Sequence, residues 1–205
     1  LRDNLNALAP VAGGSTGNVL TPDSACAVGM KWVGGMTLIE HQKLSADSAC
    51  IDFLSIASAY KHLHIEMGLR LTEVALGDDA FLRFNNNSSA SYYSVQIQLR
   101  QPNSITTQEL LSGTCAFITV VPGKTSTPGS PFNTVILDIS DYADTTKPKG
   151  YNVDGGLVFG TATQQTRKES AHGLWNNASA ISQITFFPFT ACFAASSVAT
   201  LYGMS

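Results

Sequence analysis

The sequence predicts an all-β fold, a jelly-roll-like antiparallel β-sandwich with an extended N-terminal arm. Roughly eight to ten short apolar runs are separated by turn signals every 8 to 12 residues, which is typical of a sandwich. The clearest run alternates apolar and polar residues with the period of two that a pleated strand requires. Hydrophobic residues make up 44% of the 205 residues and charged residues only 13%, enough for one full core without a second domain.

Residues 1–35 differ from the rest and are interpreted as an arm or linker. Residues 1–8 favour one or two helical turns, which Pro10 ends, and residues 13–18 have the Gly/Ser/Asn composition of a flexible linker. The apolar residues of this segment need burial, either along their own domain or on a neighbouring chain. We expect the following to anchor the arm on a partner: Leu5, Leu8, Val19, Leu20, Met30 and Trp32.

Residues 36–205 are interpreted as one β-sandwich domain. Strand patterns at 36–43 and 49–54, joined by the short polar link 45–48, predict a hairpin. Residues 61–71 have the cleanest alternation. One face carries Leu63, Ile65, Met67, Leu69 and Leu71, and the other carries His62, His64, Glu66 and Arg70. We expect the first face to be core and the second to meet water or a partner.

Further strands are expected along the rest of the chain. Residues 80–84 and 92–99 predict a second strand pair, and single strands are expected at 114–121, 134–140 and 156–163. Residues 101–113 are interpreted as a short helix or an irregular crossing. The patterns at 180–187 and 194–204 predict two strands that together finish a sheet at the C-terminus.

Composition also excludes several classes of function. The formal net charge is −3, and no stretch concentrates Lys and Arg, which argues against nucleic-acid binding. No signal peptide and no run of about 18 apolar residues is present, so no membrane insertion is expected. Cys26, Cys50, Cys115 and Cys192 lack C-x-x-C spacing. They are interpreted as free buried thiols in a reducing compartment, with a disulfide as the alternative.

The spacing His62-x-His64-x-Glu66 is a weak candidate metal site. On a strand all three side chains share one face, and imidazole and carboxylate groups are metal ligands. The later His172 lacks a matching sequence context, so a solvated or inter-subunit polar face is the preferred interpretation. The linker Gly13-Gly14-Ser15-Thr16-Gly17 has the spacing Gly-x-Ser-x-Gly, but no strand pattern precedes it, as a nucleophile elbow requires, and it lacks the lysine of a phosphate-binding loop. We therefore nominate no catalytic residue and no cofactor, and predict a protein that is not an enzyme.

Two aromatic residues are candidates for contact with a glycan. Tyr92 in the pair Tyr92-Tyr93, and Trp175 beside Asn176 and Asn177, combine flat rings with nearby polar groups. Such rings suit the apolar faces of sugars. Because adjacent strand residues point to opposite faces, at least one of the two tyrosines is expected in the core.

Three segments carry a resemblance to virion proteins of tailed bacteriophages. The first is Gly17-Asn18-Val19-Leu20-Thr21-Pro22-Asp23-Ser24 leading to Val28-Gly29-Met30-Lys31-Trp32, which resembles a junction before a terminal β domain. The second is residues 60–84, and the third is Phe193-Ala194-Ala195-Ser196-Ser197 followed by Leu201-Tyr202-Gly203, which resembles a closing strand. The chain departs from the pattern at Ser196, at Cys26-Ala27 and at Asn85-Asn86-Asn87-Ser88.

This resemblance implies a homotrimeric β knob on the surface of a virion assembled in the host cytoplasm. We expect a capsid decoration protein whose arm attaches to the major capsid protein or another virion protein, because only about 35 residues precede the domain and no heptads form a shaft. The alternative is a tail-fibre or tail-spike tip that binds a host-surface glycan. A third possibility is a carbohydrate-binding or metal-dependent β-sandwich protein.

Overall fold

The computed structural model describes residues 18–22, 30–100, 104–126, 131–159 and 165–205. Within them the chain forms fourteen β-strands and no helix, so no helix of this part could cross a membrane. The strands of the first half are β1 (Asn18–Pro22), β2 (Met30–Gly34), β3 (Met36–Lys43), β4 (Ile51–Phe53), β5 (His62–Gly68), β6 (Gly77–Phe84) and β7 (Tyr92–Arg100). Those of the second half are β8 (Ser104–Gly113), β9 (Ala116–Pro122), β10 (Thr134–Ser140), β11 (Lys149–Phe159), β12 (Gln165–Trp175), β13 (Ile184–Pro188) and β14 (Val198–Met204).

Two antiparallel sheets pack into a sandwich, which confirms the predicted fold class. The larger sheet has eight strands in the order β3-β14-β5-β10-β11-β12-β7-β8, and the smaller has four in the order β4-β13-β6-β9. Strand β9 of the smaller sheet lies against β11, β12 and β7 of the larger one. A jelly-roll order of the strands stays a prediction.

The core lies between the two sheets and follows the alternation of their strands. Leu63, Ile65 and Met67 of β5 are buried as predicted, while β9 is buried on both faces. An aromatic cluster occupies one end of the core: Phe84 lies 5.5 Å from Trp175 and 5.9 Å from Tyr151, between ring centroids. These are the edge-to-face and tilted geometries that aromatic rings prefer.

Both predicted strand pairs are wrong. Strand β3 pairs with β14 in the larger sheet, whereas β4 pairs with β13 in the smaller one. In the same way β6 belongs to the smaller sheet and β7 to the larger. Each connection carries the chain from one layer to the other, and a polar link looks the same in a sequence whether it turns a hairpin or crosses between sheets.

The predictions for the second half of the chain need three corrections. Residues 104–113, interpreted as a helix or crossing, form β8, and β12 was not predicted. Strand β11 begins at Lys149, before the predicted 156–163. Strands β8 and β12 lack the hydrophobic alternation by which a strand is recognised, because β8 is exposed along most of its length and β12 places charged residues on its inner face.

The two C-terminal strands do not finish one sheet together. Strand β13 lies between β4 and β6 in the smaller sheet, and β14 lies between β3 and β5 in the larger. Its backbone is therefore hydrogen-bonded on both sides, with Leu201 opposite Ile65 of β5 and Glu40 of β3. The last strand is an internal member of its sheet and supports both neighbours.

The predicted arm contains a β-hairpin. Its backbone pairs Val19 with Val33, Leu20 with Trp32 and Pro22 with Met30 in the separate two-stranded sheet β1-β2. Leu5 and Leu8 lie outside the described residues. The anchoring role of the arm stays a prediction.

Three cysteines are free thiols, namely Cys50, Cys115 and Cys192, and Cys26 lies outside the described residues. All three are half-buried rather than fully buried. The Cys50 thiol donates a hydrogen bond of 3.0 Å to Oδ2 of Asp52, and this interaction, with burial, raises its pKa to about 11. Burial also raises the pKa of Cys115. Both thiols are therefore held in the protonated, unreactive form.

Candidate functional site

A row of side chains crosses the outer face of the eight-stranded sheet, the face directed away from the four-stranded sheet. Residues directly opposite one another on antiparallel strands share a face, so the strand register places one residue of every strand in this row. In order from β3 to β8 they are Leu38, Tyr202, His64, Asp138, Asn152, His172, Val95 and Glu109. The predicted polar face of β5 is therefore part of a surface of polar and apolar side chains that spans the sheet, and it lies nearer the β3 edge.

His64 is held between two carboxylates on this face. Its Nδ1 lies 2.6 Å from Oδ1 of Asp138, and its Nε2 lies 3.5 Å from Oε1 of Glu66. The Tyr202 ring lies 6.1 Å from the imidazole, between centroids. Hydrogen bonding to Asp138 fixes the orientation of the ring and leaves the Nε2 side directed towards Glu66.

The structure does not bring His62, His64 and Glu66 together as a metal centre. The Asp141 backbone N–H donates a hydrogen bond of 3.4 Å to Nδ1 of His62, which turns that imidazole towards Asp141. Across the described ranges, no group of three His, Cys, Asp or Glu side chains has an arrangement that could hold a metal ion. The polar face of β5 is a hydrogen-bonded surface.

Arg70 was expected on the same polar face, but it is buried. Strand β5 ends at Gly68, and the chain then leaves the sheet, so the alternation no longer sets the side-chain direction. The Arg70 guanidinium donates hydrogen bonds to the carbonyl oxygens of Lys124, at 3.1 Å, and Pro131, at 3.4 Å. It secures two loops to the end of β5.

Tyr92 and Trp175 belong to the core and present no face to a sugar. Their rings stack at 6.4 Å between centroids, and they are 0% and 1% exposed. The Tyr92 hydroxyl accepts a hydrogen bond of 2.9 Å from the Phe84 backbone N–H. Both residues stand opposite each other on β7 and β12 and point between the sheets. The glycan contact predicted for these two rings is therefore corrected.

Strand β7 is inverted with respect to the usual pattern of a sandwich. Its inner face carries Gln96 and Gln98, which are 5% and 2% exposed, whereas Val95, Ile97 and Leu99 on its outer face are 45–48% exposed. Ile105 of β8 is opposite Leu99 and is 71% exposed. We call Val95, Ile97, Leu99 and Ile105 the outer strip. Sequence alternation shows that these residues share a face, but it does not show which face is covered.

Strand β8 forms one edge of the larger sheet. Of its ten residues, eight are exposed and two are half-buried, and one, Glu109, is charged. Neither sheet face at β8 is covered within the described part of the chain. A long edge strand with little charge is a template for pairing with another chain unless something covers it.

A buried ion pair lies on the inner face of β12. The Arg167 guanidinium contacts Oε1 of Glu169, and these side chains are 8% and 1% exposed. Oε2 of Glu169 accepts hydrogen bonds from the Thr119 hydroxyl, at 2.8 Å, and from the Val120 backbone N–H, at 2.6 Å. Burial lowers the pKa of Arg167, and the neighbouring Glu169 opposes this effect. The pair joins β12 of the larger sheet to β9 of the smaller one.

A cleft opens where β7 and β8 extend past β9, the edge strand of the smaller sheet. Its volume is about 330 Å³, and its walls include Asp79 and Phe81 from β6, Phe117 from β9, Ser94 and Gln96 from β7, and Gln108 from β8. Burial raises the pKa of Asp79, the nearby carboxylates of Asp78 and Glu169 raise it further, and the guanidinium groups of Arg167 and Arg100 oppose this effect. Nothing in the sequence marked these residues, because they come from four separate strands.

Among the described residues, the outer strip and the cleft lie on two sides of the β7-β8 edge, and the polar groups around His64 lie on the outer face nearer β3. Comparisons with protein-family models, with curated proteins and with solved structures gave no match to this chain.

Proposed function

We propose that this chain is a non-enzymatic structural protein of a bacteriophage virion, a homotrimeric capsid decoration protein anchored by its N-terminal arm. The observation that carries the proposal is the inverted strand β7. A strand that places its apolar residues on the outer face and its glutamines inside is arranged for burial of that outer face in an assembly. The virion context comes from the resemblance of the three sequence segments.

Self-association is supported by the position of the outer strip. Val95, Ile97, Leu99 and Ile105 lie at the edge of the sheet, beside the long exposed strand β8. Contact between copies of the chain would remove these side chains from water and cover the free strand edge in one step. The number of three subunits follows from the resemblance.

The first experiment tests the outer strip as a subunit contact. Ile105→Glu is compared with Val74→Glu, because these residues are 71% and 73% exposed and only the first belongs to the strip. We expect light scattering after gel filtration to give the trimer mass for the wild type and for Val74→Glu, and the monomer mass for Ile105→Glu. Circular dichroism should show all three folded.

Two results would count against this assembly. A wild type that is monomeric at every protein concentration would overturn self-association itself. An Ile105→Glu variant that keeps the trimer mass would show that the strip lies outside the subunit contact.

A second experiment tests attachment to a shell. The purified protein should bind phage capsids that lack it, and deletion of residues 1–35 should abolish binding while leaving a folded trimer, because the arm provides the contact. Co-sedimentation with the capsids measures both. Capsid binding by the shortened protein would reject the anchoring role of the arm.

The second candidate function is a tail-fibre or tail-spike tip that binds a host-surface glycan. The cleft beside β8 favours it, because it collects amide, hydroxyl and carboxylate groups next to aromatic rings. This function predicts adsorption of the purified protein to host cells, measured as depletion from solution. Capsid binding without adsorption would select decoration over receptor binding.

A further inference from the structure

Amide side chains line the cleft beside β8, although the interior of a β-sandwich is usually apolar. Gln96 is 5% exposed, and its Nε2 donates a hydrogen bond of 2.8 Å to Oε1 of Gln108 on the neighbouring strand. Amides at this depth are costly to bury unless they are hydrogen-bonded. This hydrogen bond joins the buried Gln96 of β7 to the exposed Gln108 of β8, so that the two amides form a connected polar surface along the cleft.

The wall opposite the glutamines combines a carboxylate with aromatic rings. Asp79 and Phe81 come from the same strand, and Phe81 packs against Phe117 at 6.2 Å between centroids in an edge-to-face geometry. Phe81 is half-buried and borders the cleft. Within the described residues, no donor lies at hydrogen-bond distance from the Asp79 carboxylate.

The charge of the walls restricts the class of ligand. The described residues that line the cleft include no lysine or arginine and two carboxylates, Asp79 and Glu109, which disfavours phosphate and other anions. The volume of about 330 Å³ is at the lower end of the range for ligand sites and suits a single ring rather than a folded peptide. A ligand with hydroxyl groups matches the carboxylate and amide groups of the cleft, because a hydroxyl donates to a carboxylate or amide oxygen and accepts from an amide N–H.

We propose that this cleft binds a neutral sugar ring, with Asp79, Gln96 and Gln108 as its hydrogen-bonding groups and Phe81 as the apolar contact. The Asp79 carboxylate accepts from ring hydroxyls, and Ser94 and the two glutamines provide both donors and acceptors. The Phe81 ring contacts the C–H face of the sugar, as flat aromatic rings do in amphipathic sites. This site is distinct from the core residues Tyr92 and Trp175, and it does not depend on trimer formation.

The test uses saturation-transfer NMR with four free sugars: glucose, galactose, rhamnose and N-acetylglucosamine. The full chain is compared with Gln108→Ala and Asp79→Asn, which remove one partner each, and with Thr107→Ala as the matched control. Thr107 is the neighbour of Gln108 on β8 but lies on the outer face, opposite Ile97. Circular dichroism confirms that each variant is folded.

We expect at least one of the four sugars to receive saturation in the wild type and in Thr107→Ala. Its affinity should fall by about tenfold or more in Gln108→Ala and in Asp79→Asn, because each change removes a hydrogen-bonding partner of the sugar hydroxyls. No transfer to any of the four sugars, or equal affinity in all variants, would overturn the proposal. The monomeric Ile105→Glu variant should keep sugar binding, so failure of this site and failure of the assembly are told apart.

Discussion

At the scale of single residues, Glu169 links the two sheets through polar contacts. It pairs with Arg167 on its own strand and accepts hydrogen bonds from Thr119 and Val120 on β9. The buried carboxylate is compensated by the Arg167 guanidinium at Oε1 and by two hydrogen bonds at Oε2. Its loss would leave the buried Arg167 cation unpaired and the Val120 backbone N–H without its acceptor.

We expect Glu169→Ala to lower the free energy of unfolding by about 3–5 kcal/mol. The adjacent Lys168 offers a matched control, because its ion pair with Asp154, at 3.0 Å, is exposed. Lys168→Ala should change stability by less than about 1 kcal/mol. Urea denaturation measures both, and equal midpoints for the two variants would refute the structural role of Glu169.

The residues in and after β5 show which side-chain directions can be predicted from the sequence. The alternation assigned His62, His64 and Glu66 to the outer face correctly because they lie within a regular strand. It failed at Arg70, which comes after the strand. Burial of Tyr92 and Trp175 was missed because a tyrosine or tryptophan suits a core and a binding surface equally well.

At the scale of the elements, the residue that fits at a strand position depends on the side chain opposite it on the neighbouring strand. Gly173 of β12 is opposite Tyr151 of β11, and a Cβ at position 173 would overlap the Tyr151 ring. The tyrosine uses this space to reach the aromatic cluster around Phe84. The glycine is required by its neighbour and not by the conformation of its own backbone.

We predict that Gly173→Ala destabilises the protein by about 1–3 kcal/mol, because the buried Tyr151 ring must move. Gly150 is the control, since a Cβ there meets nothing within 4 Å. Gly150→Ala should leave stability within about 0.5 kcal/mol of the wild type. Thermal unfolding followed by circular dichroism compares the two, and a tolerated Gly173→Ala would show that the aromatic cluster can rearrange.

Strands β8 and β12 are the two long strands that the sequence did not predict. A strand is recognised when one face is apolar and the other polar, and both strands lack this contrast. Residues 104–113 carry polar groups on both faces, and β12 brings Arg167 and Glu169 inwards. The candidate cleft borders this part of the sheet, where polar residues replace apolar ones.

At the scale of the whole molecule, burial of tyrosine hydroxyls makes the fold sensitive to alkali. Burial raises the pKa of Tyr92 to about 12 and also raises the pKa of Tyr151. In the unfolded chain a tyrosine ionises at a pKa of about 10. The neutral phenol is therefore favoured by folding, and the stability associated with it is complete below about pH 10.

We expect the free energy of unfolding to fall as the pH rises from about 10 to 12. Tyr92→Phe should make this fall less steep, because one of the buried ionisable groups is absent. Urea midpoints at a series of alkaline pH values measure the slope, and return to neutral pH should restore the fold. A constant midpoint up to about pH 12 would contradict the burial of these hydroxyls.

The sequence by itself determined the all-β class and the inward and outward faces of β5, along with the bounds of β3 and β10. These follow from the period of two, which the pleat imposes on any strand wherever it lies. The tertiary structure alone decided which strands pair, that β14 is internal, and that β7 turns its apolar face outwards. Pairing and coverage depend on contacts between residues far apart in the chain, and alternation along one strand is identical whichever of its two faces another sheet covers.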